Sequence, residues 1–569
     1  MSIPTPTSTQ ELLRLDWQDF EPATHELAST SLTSANVDAW LRDWTRWREV
    51  VSELYNRLYV GVTVDTQDKA TESRFDHYMD IIYPKAEAFN QAMKQKLLDS
   101  GLSPAGFEVP LRNMRAEVEL FRQANLPLIA EEQKLGNAFD KITGAQTILW
   151  EGKEYTYWQM RVVFQHPERA TRERGWRMTH QRTLADRAAL NELWAKFLAV
   201  RLKQAANAGY PDYRTFRWQQ MHRFDYTPQD AKQFHHAIEQ VAVPAASRVY
   251  ERKRQRLGIE SIRPWDVLPD PYKRPPLEPF RDVAELKSKT AAVFRQVDPQ
   301  LGGYFDTMIR EGLLDLENRK NKAQGGYCTA FDIEKKPFIF SNAFGIHDDV
   351  QTLLHEGGHS FHVFETAHLP YFDQRDVPME FAEVASMSME LLASPYLAND
   401  GSFYSQAEAA RALIEHLESN LWFFPYMAVV DAFQHWVYEH PQQAADPANC
   451  DRAWGEQWAR FMPFEDWSGL EEERVTGWQR KGHIFQVPFY YIEYGLALLG
   501  ATQVWRNALQ DQAGAVAAYR RALALGNTAT LPELFQAAGA RFAFDPATLQ
   551  VCVDLMEQQI AKFEPLALG

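Results

Sequence analysis

The chain has 569 residues, 45% of them hydrophobic and 13% aromatic, and a formal net charge of -16. That is ample apolar material for a large core, so the chain belongs with globular rather than disordered sequences. The acidic balance argues against a nucleic-acid partner, since phosphate recognition needs clustered Lys and Arg; the short run ERKRQR at 251 to 256 reads as a solvated helix face.

Residues 1–9 are a Pro/Thr/Ser tail with no basic region leading into an apolar one, so no secretory signal is expected. From NVDAWLRDWTRWREVVSELYNRLY (36 to 59) onward, apolar residues recur at helical spacing through 75 to 140 and 160 to 255. The exception is TILWEGKEYTYW (147 to 158), which alternates around Glu151 and Gly152 and predicts a β-hairpin. Six prolines between 264 and 279 forbid regular helix or a central strand, which marks 263–280 as a lobe connection or long surface loop. A helix (281 to 297), an alternating segment (325 to 345) and a mostly helical remainder follow. AVAAYRRALALG (515 to 526) has no second copy and reads as one amphipathic helix, not a repeat array. This organisation predicts an N-terminal helical lobe over 10–210 and a second lobe over 211–569.

The windows starting at Phe423 and Phe489 are the most apolar, but they are short and carry Asp431 and Glu493, so no membrane span is expected. Cys328, Cys450 and Cys552 are far apart and in no Cys-x-x-Cys spacing, which disfavours a disulfide framework and fits a reducing cytoplasm.

LLHEGGHSFH, residues 353 to 362, continues a helical period yet carries two glycines, each costing a helix interior about 1 kcal/mol relative to alanine. On a helix His355 and His359 project from one face and can share a metal ion, while Glu356, about 100° round, reaches a water on that ion without being a ligand. A catalytic zinc takes three protein ligands and keeps one position open. The metzincin pattern fails, because position 362 is His and position 365 is Glu. His362 shares the histidine face, but three ligands along one straight helix spread too far to close a tetrahedron. PMEFAEVASMSMELL (378 to 392) offers Glu380 and Glu383 at i,i+3, both able to face the first helix. Asp348, Asp349 and Glu390 are candidates to orient the histidines.

Taken with KGHIFQVPFYYIEYGLALLGATQVW (481 to 505), these motifs make the chain resemble the thimet oligopeptidase and oligoendopeptidase F family of zinc metallopeptidases, most strongly over 320 to 510. The resemblance implies a mostly α-helical, multi-lobed metallopeptidase with a deep substrate channel and a small β-sheet near the zinc helix. It implies one Zn2+ per chain on His355, His359 and Glu383, with Glu356 as general base. His483, Tyr490 and Tyr494 are the implied transition-state donors, and short unfolded peptides cut at internal bonds the implied substrates. Read alone, the Tyr-rich segment is equally an amphipathic core helix with wet hydroxyls, opening on Pro488 and carrying Tyr490 and Tyr494.

Gly357 lies in the apolar arc with Val350, Leu353, Leu354, Phe361 and Phe364, where it lets another helix approach closely. At Gly358, beside the metal face, a side chain would intrude on the Glu383 helix or the substrate. KKPFIFSNAFG (335 to 345) alternates and opens near Pro337 as an edge strand does, with GGYCTAF (325 to 331) as its hairpin partner. Beside the zinc, such an edge would take an extended peptide by strand addition, with Asn342, Ala343 and Phe344 as candidate substrate contacts. Two other readings stand beside this one: a metallocarboxypeptidase or dipeptidase trimming peptide ends, and a non-catalytic peptide-binding protein with a vestigial zinc site.

Overall fold

The computed structural model describes residues 2–568 apart from Trp158, Gln324 and Asp400, and 69% of it is helical, as the periodicity requires. Helix α1 (Val37–Val64) buries Trp40, Trp44 and Trp47, which its helical spacing brings to one face. With Phe20, Leu54, Leu97 and Phe107 they form a first apolar core, drawn from residues 12–114 and Tyr371. A second, larger core runs from Leu120 to Ile560. Polar groups join the two: Arg48 pairs with Asp373, Arg375 with Glu49 and Arg57 with Glu334, and Ser52 donates to Asp332 at 2.7 Å.

Strands β1 (Thr147–Trp150) and β2 (Lys153–Thr156) form the expected antiparallel hairpin, turning at Glu151 and Gly152, both at positive φ. The last residue of that predicted hairpin, Trp158, lies outside the described residues. Helix α2 (Pro228–Leu257) starts on a capping box of Thr227 and Asp230 and stops at Gly258, whose φ of 66° is left-handed. The proline-rich segment forms a 3-10 turn and irregular backbone before α3 (Val283–Val297), capped by Asp282.

Next come β3 (Leu314–Glu317), β4 (Tyr327–Phe331) and β5 (Lys336–Ala343), in the order β3-β5-β4. The predicted β4–β5 hairpin is present. The edge position expected of β5 is not: it is the middle strand, parallel to β3 and antiparallel to β4. Its second partner, LDLE, is too short and acidic to stand out as a strand. Pro337 is tolerated because the β3 ladder starts only at Ile339, so its missing N–H costs no bond there. The outer strands are β3 and β4, and Asn56 of α1 donates to the Ala330 carbonyl of β4 at 2.9 Å.

β5 leads into α4 (His347–Thr366), and α5 (Met379–Ala393) packs between α4 and α8 (Ile492–Ala508). Long α6 (Gln406–Glu439) packs on α2 and on the C-terminal helix α9 (Pro546–Leu568), while short α7 (Gly482–Gln486) precedes α8. The two glycines of α4 serve two neighbours. A Cβ on Gly358 would stand 2.5 Å from the Ala385 carbonyl oxygen and from Ser386 Cα, both backbone atoms of α5. One on Gly357 would stand 2.5 Å from the Phe294 ring of α3, so that glycine lets this neighbouring helix approach through an aromatic side chain.

Gly358→Ala is expected to destabilise the chain by about 1–3 kcal/mol, because the obstructing atoms are backbone. Gly303→Ala, in the helix Pro299–Arg310 with nothing within 4 Å of its Cβ, should be neutral or stabilising. Urea titration of both variants compares them.

Candidate metal centre

The Asp349 carboxylate fixes the start of α4 by accepting the N–H groups of Phe344, Gly345 and Ile346 at 2.7, 2.7 and 2.9 Å. Two turns further on, His355 and His359 stand with ring centroids 5.0 Å apart. Their Nε2 atoms lie 3.4 and 3.8 Å from Oε2 of Glu383 on α5. One ligand-type atom from each of the three residues therefore falls within 4.8 Å of the others. Glu390, further along α5, takes His355 Nδ1 at 2.6 Å, which leaves Nε2 aimed at Glu383. The other Glu390 oxygen is 3.6 Å from His416 Nε2 on α6. Asp349 caps the helix and Asp348 pairs with Arg161 at 3.2 Å, so of the three orienting candidates it is Glu390 that reaches a histidine.

Burial acts on all four groups, and their neighbours decide the outcome. Burial opposes ionisation of Glu383, but donation from His355, the field of both imidazoles and the Tyr490 hydroxyl bring its pKa to about 2. Burial pushes Glu356, 8% exposed, up to about 7; His355 opposes this while Glu383 and Glu390 reinforce it. For His355, burial is outweighed by hydrogen bonds to Glu383 and Glu390, which raise it well above the ordinary imidazole value. His359 is pushed down to about 4, first by burial. The cluster thus holds a proton between imidazole nitrogens and a carboxylate, and two nitrogens and one oxygen converging in this way are a donor set that divalent transition metals take. A cation would replace that proton.

A third wall comes from the C-terminal half. His483 on α7 has its ring 6.0 Å from those of Tyr490 and Tyr494 and 5.0 Å from Tyr491. The Tyr490 hydroxyl donates to Glu383 Oε1 at 3.1 Å. The single helix expected to open on Pro488 and carry both tyrosines is corrected: α8 begins at Ile492 and Tyr490 precedes it. The break is at Phe489, whose φ of 65° is left-handed. Its N–H donates to Gln434 Oε1 at 2.7 Å, and its carbonyl accepts from Arg223 at 2.7 Å.

Arg223, fully buried, also pairs with Glu493 at 2.8 Å and with Glu380 at 3.3 Å, and the Tyr226 hydroxyl donates to Glu380 at 2.8 Å. Glu380, the alternative ligand on α5, therefore turns to Arg223 and away from the histidines. Sequence reasoning missed Arg223 and Gln434; the available signal was Glu493 inside an apolar run, which demands a buried partner.

His362 is 4% exposed and faces Phe381, with neither ring nitrogen hydrogen-bonded among the described residues. Burial takes its pKa down to about 3, so it is a neutral core residue outside the trio. The Asn342 amide is spent on the Ala323 and Gly325 carbonyls at 2.9 and 3.1 Å, and Ala343 is held opposite Glu317 of β3. The Phe344 N–H is taken by Asp349, though its side chain is 57% exposed. A second cluster, His235, Asp431 and His435, is fully buried. There Arg214 donates to His435 Nδ1 at 3.2 Å, which leaves the ring hydrogen on Nε2, 3.3 Å from Asp431 Oδ2, while His235 Nε2 lies 2.7 Å from the same oxygen.

The family model described as Peptidase family M3 matches residues 162–553, and that of the Peptidase M3 N-terminal domain matches residues 8–105. The chain belongs to peptidase family M3. Among M3 relatives, Oligopeptidase PepF of Bacillus subtilis is 23% identical over 275 residues, which are 47% of this chain and 40% of that protein. An Oligoendopeptidase F homolog of Lactococcus lactis is 22% identical over 342 residues, 57% of this chain and 53% of the relative. The chain thus aligns with about half the length of these curated relatives or less. A solved structure of PZ peptidase A with an inhibitor superposes with a TM-score of 0.88 at 26% identity, over 99% of this chain and 98% of that one. Membership of M3 implies a bound metal, and His355, His359 and Glu383 form the candidate ligand group.

Metal uptake at pH 7 is expected to release about one proton, the one that the carboxylates stabilise on His355. Calorimetry in buffers of different ionisation enthalpy counts it. Glu390→Gln should weaken metal affinity by about 10–100-fold, read by competition with a chromophoric chelator.

Proposed function

We propose that this chain is a zinc-dependent endopeptidase that hydrolyses internal bonds of short, unfolded oligopeptides in the cytoplasm, with one zinc ion per chain. The observation that carries the reading is the convergence of His355, His359 and Glu383, with Glu356 on the same helix and His483, Tyr490 and Tyr494 opposite. The printed names of the relatives, oligopeptidase and oligoendopeptidase, support the substrate class. Three unpaired cysteines support a reducing compartment, and no helix among the described residues is long and apolar enough to cross a membrane.

His355, His359 and Glu383 would hold the zinc, which would supply Lewis acidity beside Glu356. Glu356, next to His355 on the same helix and buried so that its carboxylate is more basic than usual, is placed to accept a proton from the attacking water and return it to the leaving amine. His483 is pushed down to about 4 by burial, so at neutral pH it donates one N–H without carrying charge. Burial raises both tyrosine phenols above their ordinary range, which keeps them protonated donors for a developing oxyanion. At the end of β5, residues 342–344, the exposed Phe344 ring is the part left free to touch substrate.

Glu356→Gln is expected to lower kcat by about 10²–10⁴-fold while the zinc content stays that of the parent. Internally quenched peptides, with fragments mapped by mass spectrometry, should show internal cuts abolished by a chelator and restored by zinc. Release of single residues from one end would favour the end-trimming alternative; cleavage indifferent to both chelator and Glu356→Gln would overturn the peptidase reading.

A further inference from the structure

Lys481 stands two residues before His483, half-buried, in a protein whose carboxylates outnumber its cations by 76 to 60. Deeper in the same half of the chain, Arg223 is neutralised by Glu493. Lys481 has no carboxylate partner among the described residues. Its ammonium donates to the Tyr491 hydroxyl at 3.1 Å and lies 4.7 and 4.8 Å from the ring centroids of Tyr491 and Tyr426. Such rings stabilise a cation and fix its place without cancelling its charge. An ammonium has three donors; the Tyr491 hydroxyl takes one and the Tyr426 phenol stands against a second, which leaves one for a ligand.

The location gives that residual charge a use. The Tyr491 ring is 5.0 Å from His483 and 5.5 Å from Tyr494, so the ammonium sits one ring away from the groups assigned to the oxyanion. An anion drawn to it would belong to a substrate residue near the scissile bond. Resting on the peptidase reading above, we propose that Lys481, held in place by Tyr491 and Tyr426, binds a carboxylate of the bound peptide. A peptide offers two such groups, its free C-terminus and the side chains of Asp and Glu. Charge-assisted bonds of this kind both strengthen binding and fix position, so the contact would set how far from the anchored carboxylate a peptide is cut.

The test measures binding without turnover. Zinc-loaded Glu356→Gln chain is titrated calorimetrically with one peptide prepared as the free acid and as the C-terminal amide, and with amidated versions carrying Glu at successive positions. The free acid, or one of the Glu-containing amides, is expected to bind about tenfold or more tightly than the plain amide, and which of them does so names the source of the carboxylate. Adding Lys481→Met should bring the ratio to within about twofold, Tyr491→Phe should reduce it in part, and Lys481→Arg should keep most of it. A parent that binds all these peptides alike overturns the proposal without any further substitution. So does a ratio that survives Lys481→Met in a chain with unchanged zinc content and circular dichroism. A wild-type chain that cleaves nothing would sink the peptidase reading instead, and the titration would still be decided on its own terms.

Discussion

The metal centre depends on how near the backbone of α5 comes to α4 at Gly358. With a Cβ there the contact would be 2.5 Å to backbone atoms, a separation that no rotamer change relieves. Because the contact is allowed, one carboxylate oxygen of Glu383 lies within 3.4 and 3.8 Å of two imidazoles from the neighbouring helix. The candidate ligands are then carried by two helices locked together, and such elements hold a site more sharply than loops do.

Two carboxylates a few ångströms from the same imidazoles have opposite acidities. Glu383 accepts from His355 and Tyr490 and stays ionised; Glu356 shares the burial but lacks such donors, so its proton is held to near neutrality. Environment has separated two chemically equivalent groups into one that stays ionised and one that holds its proton to near neutrality. Tyr490 connects this arrangement to the C-terminal half, and its position rests on the left-handed turn at Phe489, clamped from α6 by Gln434 and from the other side by Arg223.

What the sequence made legible was local. His355 and His359 are one helical turn apart, so their shared face follows from the period of a helix, and the same period marks the buried tryptophans of α1. The hairpin of β1 and β2 was readable from its turn residues. What escaped was set by distant partners. β5 becomes a middle strand because LDLE, 22 residues upstream of its start, pairs with its other side. Glu380 and Glu383 were equivalent by spacing, and Arg223, about 160 positions away, draws the first of them off. No pattern around Pro488 announces the φ of Phe489, since the carbonyl and amide that hold it answer to side chains on other helices.

The join between the two apolar cores has a different physical character from the metal centre. There Arg48, Arg57 and Arg375 of the facing surfaces meet Asp373, Glu334 and Glu49, and the Tyr371 ring enters the N-terminal core beside them. Dissolved ions screen attractions between exposed charges, and of these pairs only Arg57 with Glu334, whose carboxylate side is 41% exposed, lies within their reach. Ionic strength therefore reaches one point of the join, at Arg57 and Glu334, while the two shielded pairs keep their hold on the N-terminal helices.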